Sequence, residues 1–259
     1  MPDSAIRLDI EDACAILTFD RPQALNAIDG AAARAFQETV EHIADSPGIR
    51  ALMLRGAGRA FMAGGDLTAM RTDPATIGPA LIDPLHAGLQ ALTRLPIPVL
   101  ACAQGAVAGA GLSILLAADL AIAADDCRFT LAYARIGASP DGGASWHLPH
   151  IVGLRKAMEL ALLSDTLDAR QALALSIVNR IVPAATLQDE ARALLQRLAD
   201  GPTHALGRTK ALLRASQTHS LDEQLAAERA AFLAGTGTAD FREGLDAFLE
   251  KRPPRFTGR

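Results

Sequence analysis

The chain has 259 residues, half of them apolar, and 29 Asp and Glu against 25 Lys and Arg give a formal net charge of −4. That length and apolar share suffice for one large core, or one core with an appendage. The acidic balance argues against a nucleic-acid or anionic-membrane partner, and the apolar runs 97–103 and 114–124 are too short, or too interrupted by Asp119, to span a bilayer.

Met1 is followed by Pro2-Asp3-Ser4 rather than by a basic and then apolar segment, so no secretory leader is expected. Residues 6–10 and 13–19 read as short strands. Asp29 caps a helix over 31–44, and Pro47-Gly48 follows its end. Residues 51–54 form a buried strand. A helix over 82–95 comes next, closed by Pro96 and Pro98, and then a strand over 99–103. A helix rich in small residues covers 111–118, and 120–123 is another strand. The repeated strand-then-helix step predicts a parallel, right-handed α/β arrangement.

From about Gly153 the pattern turns helical: 154–163, 168–175, 187–198, 203–215, 221–233 and 239–249 carry the apolar period of helices, with one strand at 178–182. Gly201-Pro202 and Gly235-Thr236-Gly237 read as hinges between helices. A tail of this kind must bury its apolar faces on its own core or on another subunit. Cys14, Cys102 and Cys127 lie in apolar stretches without metal-ligand spacing. They read as buried thiols in a reducing compartment, and no metal is expected.

Two glycine-rich loops follow strands. In Ala63-Gly64-Gly65-Asp66, adjacent glycines let the backbone turn tightly and approach a ligand closely. Gly109-Ala110-Gly111 opens a helix after the strand at 99–103. It meets neither the Gly-x-Gly-x-x-Gly pattern nor a Gly-Lys-Ser/Thr ending, so no nucleotide fingerprint is present. Two backbone N–H groups from two loops are what a carbonyl oxygen needs as it gains negative charge, each worth roughly 3–4 kcal/mol in the transition state. Downstream, Ser139-Pro140-Asp141-Gly142-Gly143 presents one carboxylate just ahead of a helix.

These stretches are similar to those of the crotonase superfamily, the enoyl-CoA hydratase/isomerase family. The resemblance is carried by Asp20-Arg21-Pro22-Gln23-Ala24-Leu25-Asn26-Ala27-Ile28, by 58–67, by 98–119 and by Pro140-Asp141-Gly142-Gly143. It continues through Leu154-Arg155-Lys156-Ala157-Met158-Glu159-Leu160 and Ala247-Phe248-Leu249-Glu250-Lys251-Arg252, over nearly the whole chain and in the family's order. It implies an α/β fold with a ββα spiral core (1–199) and a C-terminal helical region (200–259) that helps form trimers, often paired into hexamers. It implies a coenzyme A thioester as substrate, no separate cofactor and a cytoplasmic location. By position, the oxyanion donors are the N–H groups of Gly65 and Ala110. Coenzyme A is expected along Ala24, Ala63, Asp66 and Leu67, closed by Phe248 and Lys251 from a neighbouring subunit.

Where hydratase relatives carry two glutamates, this chain has Ser113 and Tyr133, and neither ionises usefully at neutral pH. Isomerase relatives place an acid on the loop after the proline, where Asp141 stands. A double-bond shift needs only one such group to take a proton and return it, which contributes about 10²–10⁴-fold. The resemblance therefore implies an acyl-CoA isomerase with Asp141 as proton shuttle and Ser113 and Tyr133 in the acyl pocket, Tyr133 mainly as a wall. The segment 68–86 is expected to line that pocket without regular pattern. The alternatives are a divergent hydratase and a non-catalytic acyl-CoA-binding protein. The tail stretches 222–229 and 240–258 resemble the phenylacetate-pathway branch that contains the epoxyphenylacetyl-CoA isomerase. In a dehalogenase branch an Asp at this place works with a His base, but here Gln90 holds the expected register and His86 lies one turn away, which speaks against that chemistry. Trp146, His147 and His150 read as packing or capping residues.

Overall fold

The computed structural model describes residues 5–259. β1 (Ile6–Glu11) and β2 (Cys14–Phe19) form an antiparallel hairpin. β2 is buried on both faces, in keeping with its nearly unbroken apolar run. α1 (Gly30–Ala44) follows, its N-terminus capped by the Asp29 carboxylate, which accepts from the Ala32 amide at 2.8 Å. Next come β3 (Ala51–Gly56), the one-turn α2 (Leu67–Met70), α3 (Pro74–Arg94), β4 (Val99–Ala103) and the short β5 (Ala106–Ala108). α4 (Ala110–Ala117), β6 (Leu120–Ala124), β7 (Arg128–Thr130) and α5 (Ala144–Val152) complete the first half. The second half holds α6 (Leu154–Leu163), β8 (Leu167–Asp168), α7 (Ala169–Ala174), β9 (Arg180–Val182), α8 (Leu187–Ala199), α9 (Thr203–Ala215), α10 (Leu221–Thr236) and α11 (Ala239–Glu250).

The strands form two sheets. The larger has the order β1-β2-β3-β4-β6-β9, parallel from β2 onward. The smaller has the order β5-β7-β8, and a parallel bridge between Met62 and Val107 extends it by one more segment. Each turn of the chain thus gives a long strand to one layer and a short one to the other before a helix follows. This is the ββα spiral. The core between the layers is aliphatic around a small aromatic cluster in which Phe19 lies 5.8 Å from Phe36 and 6.0 Å from Phe61, centroid to centroid. α1 and α3 pack closely because Gly88 lacks a side chain; a Cβ there would stand 2.7 Å from Phe36. Cys14, Cys102 and Cys127 are buried free thiols, and burial pushes Cys102 and Cys127 up to about 12.

The tail is tied to the core at its first helix. Gly207 of α9 lies against Pro96, so closely that a Cβ would meet the Pro96 carbonyl oxygen at 2.2 Å. Asp119 pairs with Lys210 and Arg214 of α9, each at 2.8 Å, and accepts from the Val99 amide at 2.9 Å. Arg50 joins the same region to the C-terminus through Thr203 Oγ1, the Gly201 carbonyl and the Phe256 carbonyl. α10 and α11 present apolar side chains outward, among them Leu221, Phe232 and Leu249.

Two expectations are corrected. The segment 68–86 is not without regular structure: α3 begins at Pro74 and runs through Pro79 and Pro84. Pro74 sits in the first turn, where no intrahelical N–H bond is lost, and Asp73 caps the start by accepting from Thr76 N–H at 3.3 Å. Gly235-Thr236-Gly237 is not a hinge in its first two residues, which lie inside α10; the turn to α11 begins at Gly237.

Candidate active site

The two glycine loops share one strand register. Met62 N–H donates to the Ala106 carbonyl at 3.1 Å, and Ala108 N–H donates to the Met62 carbonyl at 2.9 Å, pairing Met62 with Val107 in parallel. Gly65 and Ala110 each lie three residues past that bridge, on the two loops that leave it. The loops touch at their glycines. Gly64 has φ +116° and Gly109 φ +50°, and a Cβ on Gly109 would lie 3.5 Å from Gly64 Cα. Ile28 takes up the neighbours of Gly65: its N–H donates to the Gly64 carbonyl at 2.9 Å, and its carbonyl accepts from Asp66 N–H at 2.8 Å. A parallel bridge of this kind turns the intervening Gly65 N–H away from Ile28. Ala110 is the first residue of α4, so its N–H has no intrahelical acceptor. Neither the Gly65 nor the Ala110 N–H has a hydrogen-bond acceptor among the described residues.

One turn into α4, Ser113 is fully buried and meets three partners: the Gly109 carbonyl at 3.3 Å, the Tyr133 hydroxyl at 3.1 Å and the Asp141 carbonyl at 3.0 Å. The Tyr133 hydroxyl donates to Asp141 Oδ1 at 2.5 Å. An ionised carboxylate only accepts, so the tyrosine proton is committed to Asp141, and the serine proton is shared among its three acceptors. Burial, reinforced by the Asp141 charge, holds the Tyr133 hydroxyl well above the ordinary tyrosine range, so it stays a donor. Tyr133 is therefore more than the wall expected from the sequence. The Asp141 loop is also held from α3, because Gly142 N–H donates to His86 Nε2 at 3.1 Å. Gly142 has φ +58°, and a Cβ there would meet Ser113 Cβ at 2.8 Å, so the loop approaches α4 this closely only with glycine.

Asp141 faces a cleft of about 1310 Å³ between α3, the start of α5 and α9, whose walls include His86, Leu89, Trp146, His147 and Lys210. Gly65 and Ala110 do not line this cleft; Asp141 stands between it and the Ser113–Tyr133 side. Burial, with a smaller contribution from Arg214, lowers His147 to about 4, so its ring is neutral near neutrality. His150 Nδ1 lies 2.6 Å from the Trp146 carbonyl, a packing contact within α5.

The residues expected along coenzyme A divide into two groups. Ala63 N–H donates to the Leu25 carbonyl at 3.0 Å, which brings Ala63 beside Ala24 and Leu25. Asp66 caps α2 by accepting from Ala69 N–H at 3.2 Å and pairs with Arg21 at 3.2 Å. Burial opposes ionisation there, but hydrogen bonds from the Ala69 and Thr68 amides and from Arg21, with the Arg21 charge, together hold the Asp66 carboxyl below the usual range. Leu67 opens α2 and is exposed. Phe248 and Lys251, by contrast, stand at the end of α11. Phe248 is 81 % exposed, and the Lys251 side chain has no ion pair or hydrogen bond among the described residues. Within one chain they are not drawn into the cluster around Asp141.

Arg21 and Asn26, to which no local pattern gives a role, also build the site. Arg21 bridges Asp29 and Asp66 and donates to the Ala27 carbonyl, fixing the first glycine loop to the cap of α1. The buried Asn26 amide donates to the Ala57, Ala60 and Phe61 carbonyls. Asn26 has φ +59°, a conformation Asn tolerates better than most residues.

Residues 9–259 match the family model described as enoyl-CoA hydratase/isomerase. A probable enoyl-CoA hydratase of Rhodobacter capsulatus is 41 % identical over 256 residues, covering 98 % of each chain. The 1,2-epoxyphenylacetyl-CoA isomerase of Escherichia coli is 37 % identical over 257 residues, covering 96 % of this chain and 97 % of the relative. The crystal structure of an enoyl-CoA hydratase from Polaromonas sp. JS666 superposes with a TM-score of 0.92 at 32 % identity, covering 97 % of this chain and 99 % of that one.

Proposed function

Because this chain belongs to the enoyl-CoA hydratase/isomerase family and acts on CoA thioesters, we propose that it is an acyl-CoA isomerase in which Asp141 alone moves the proton. The observation that carries this reading is the composition of the cluster around Asp141: the two side chains beside it, Ser113 and Tyr133, are hydroxyls. Neither can deprotonate a water at neutral pH, and burial places Tyr133 still further from doing so.

In this reading the Gly65 and Ala110 N–H groups receive the thioester oxygen. Asp141 Oδ1 is occupied by the Tyr133 hydroxyl, so Oδ2 is the oxygen that works. It removes a proton from the α-carbon of a β,γ-unsaturated thioester. The electron pair of that C–H bond conjugates through the double bond to the thioester oxygen as a dienolate. The same carboxyl then returns the proton to the γ-carbon, the double bond comes to rest between the α- and β-carbons, and no atom is gained or lost. The name of the Escherichia coli relative favours an acyl group derived from an aromatic ring as a second substrate type. Coenzyme A lies along Ala24, Ala63, Asp66 and Leu67. Phe248 and Lys251 reach it from a neighbouring protomer of a trimer or of a hexamer of paired trimers, with 200–259 as the assembling region on the core 1–199. The outward apolar residues of α10 and α11 support that assembly. The protein has no separate cofactor and works in the cytoplasm on the phenylacetate type of substrate.

The name of the Rhodobacter relative favours a second reading, water addition. A screen of unsaturated and arylacetyl CoA thioesters by mass spectrometry in heavy water separates the two. An isomerase exchanges α or γ hydrogens without gaining the mass of water, and Asp141→Asn abolishes the exchange. Mass gain that survives Asp141→Asn overturns the isomerase reading.

A further inference from the structure

The peptide unit between Asp141 and Gly142 is held at both ends by side chains from different helices. Its carbonyl oxygen lies 3.0 Å from Ser113 Oγ of α4, and its N–H donates to His86 Nε2 of α3 at 3.1 Å. The Asp141 carboxylate is held separately by the Tyr133 hydroxyl. Losing both backbone contacts frees the loop, and with it the Asp141 Cα that carries the carboxylate, to shift relative to α3 and α4. Glycines at 142 and 143, both in the left-handed region, make such a shift sterically easy. The loop therefore needs restraint from outside itself. Leu89, one turn beyond His86 on the same face of α3, backs the contact: a Cβ on Gly142 would lie 3.5 Å from its Cδ1.

We propose that His86 is a positioning residue for the reaction: it accepts the Gly142 N–H at Nε2 and fixes the backbone that carries Asp141. The inference rests on the isomerase reading of Asp141. It also gives His86 a place in the site without making it a base, because the lone pair that would take a proton is already engaged by the backbone. A histidine one turn from the register of a base thus serves the loop rather than the substrate.

The test compares the full-length wild type with His86→Phe, which keeps the shape of the ring without an acceptor, and His86→Gln, whose amide oxygen has comparable reach. Two readouts are taken: the kinetics of thioester isomerisation, and hydrogen exchange of the Gly142 amide by NMR on protein labelled with ¹⁵N-glycine. In His86→Phe, kcat falls by about ten- to a hundredfold, the scale of a displaced catalytic group. KM stays within about twofold, because no binding contact is lost. The Gly142 amide exchanges faster, and His86→Gln restores both kcat and protection. Unchanged Gly142 exchange in His86→Phe overturns the proposal, as does an equal loss of kcat in both variants. The exchange readout needs no turnover. If the wild type isomerises no thioester while His86→Phe still releases the amide, the isomerase reading has failed and the restraint on the loop stands. If turnover depends on Asp141 but neither readout responds to His86→Phe, the reverse holds.

Discussion

Tyr133→Phe removes one oxygen and leaves the shape of the acyl wall. That oxygen donates to Asp141 Oδ1 at 2.5 Å and lies 3.1 Å from Ser113 Oγ, in a side chain only 9 % exposed. A hydrogen bond to a charged acceptor is worth about 1.5–3 kcal/mol. No other donor to the Asp141 carboxylate is found among the described residues, so the carboxylate is free to swing towards the cleft. At about 1.4 kcal/mol per factor of ten, loss of that bond at the aimed geometry lowers kcat by roughly 10- to 150-fold. The cost to folding is smaller, about 1 kcal/mol or 2–4 °C in Tm, because Asp141 faces the cleft and water replaces the lost donor. The assay is hydrogen exchange of a β,γ-unsaturated acyl-CoA in heavy water, run on Tyr133→Phe, Asp141→Asn and the double variant. If the hydroxyl acts through Asp141, the double variant is no slower than Asp141→Asn alone. Losses that multiply, or a Tyr133→Phe enzyme as fast as the wild type, refute the claim that this bond aims the base.

Ala110→Pro deletes one proposed oxyanion donor while respecting the fold, since Ala110 is the first residue of α4; kcat is expected to fall about 10²–10³-fold with little change in Tm, checked by steady-state kinetics beside a melting curve. Asp119→Ala strips the carboxylate from Lys210, whose side chain is 8 % exposed and keeps only the Ile97 carbonyl, and frees the Val99 amide. A loss of about 3 kcal/mol and about 6–12 °C follows, partly recovered by adding Lys210→Met, and urea titrations of the single and double variants measure both. His147 is held at about 4, below the about 6.5 of an unfolded histidine, so the unfolded chain binds more protons between those values. Its contribution to stability is complete above about pH 6.5 and is lost as the pH falls towards about 4. The urea midpoint of the wild type should therefore drop over that window more steeply than that of His147→Gln; parallel curves would remove His147 from the acid limb.

The legible parts of this molecule are those that follow from local chemistry. The helix at α9 was readable to the residue because its apolar period is uninterrupted and Pro202 precedes it. The Asp29 cap was readable because the carboxylate precedes the first apolar turn. β5, β7 and β8 were not, since each has only two or three residues and is made by pairing across the fold rather than by its own pattern. α3 was cut short because prolines that normally end a helix are tolerated here at Pro79 and Pro84. At the site, Gly65 and Asp141 stand on the loops that their Gly-Gly and Pro-Asp-Gly neighbours predict, and Ala110 opens a helix after its glycine as expected. That Tyr133 donates to Asp141, and that His86 touches the loop, depends on three segments meeting in space, which no window of sequence records.

The matched register of Met62 and Val107 bears on how such a site changes over generations. Its proposed oxyanion donors are amides, and no codon change removes an amide except one to proline. Nearly every substitution at 65 or 110 leaves the donor in being, so inherited variation cannot easily dismantle the hole. A substitution at Ser113, Tyr133 or Asp141, by contrast, changes the acid or base that in the proposed reaction faces the thioester. A scaffold divided in this way can exchange one reaction for another by a few point changes while its grip on the enolate is inherited intact.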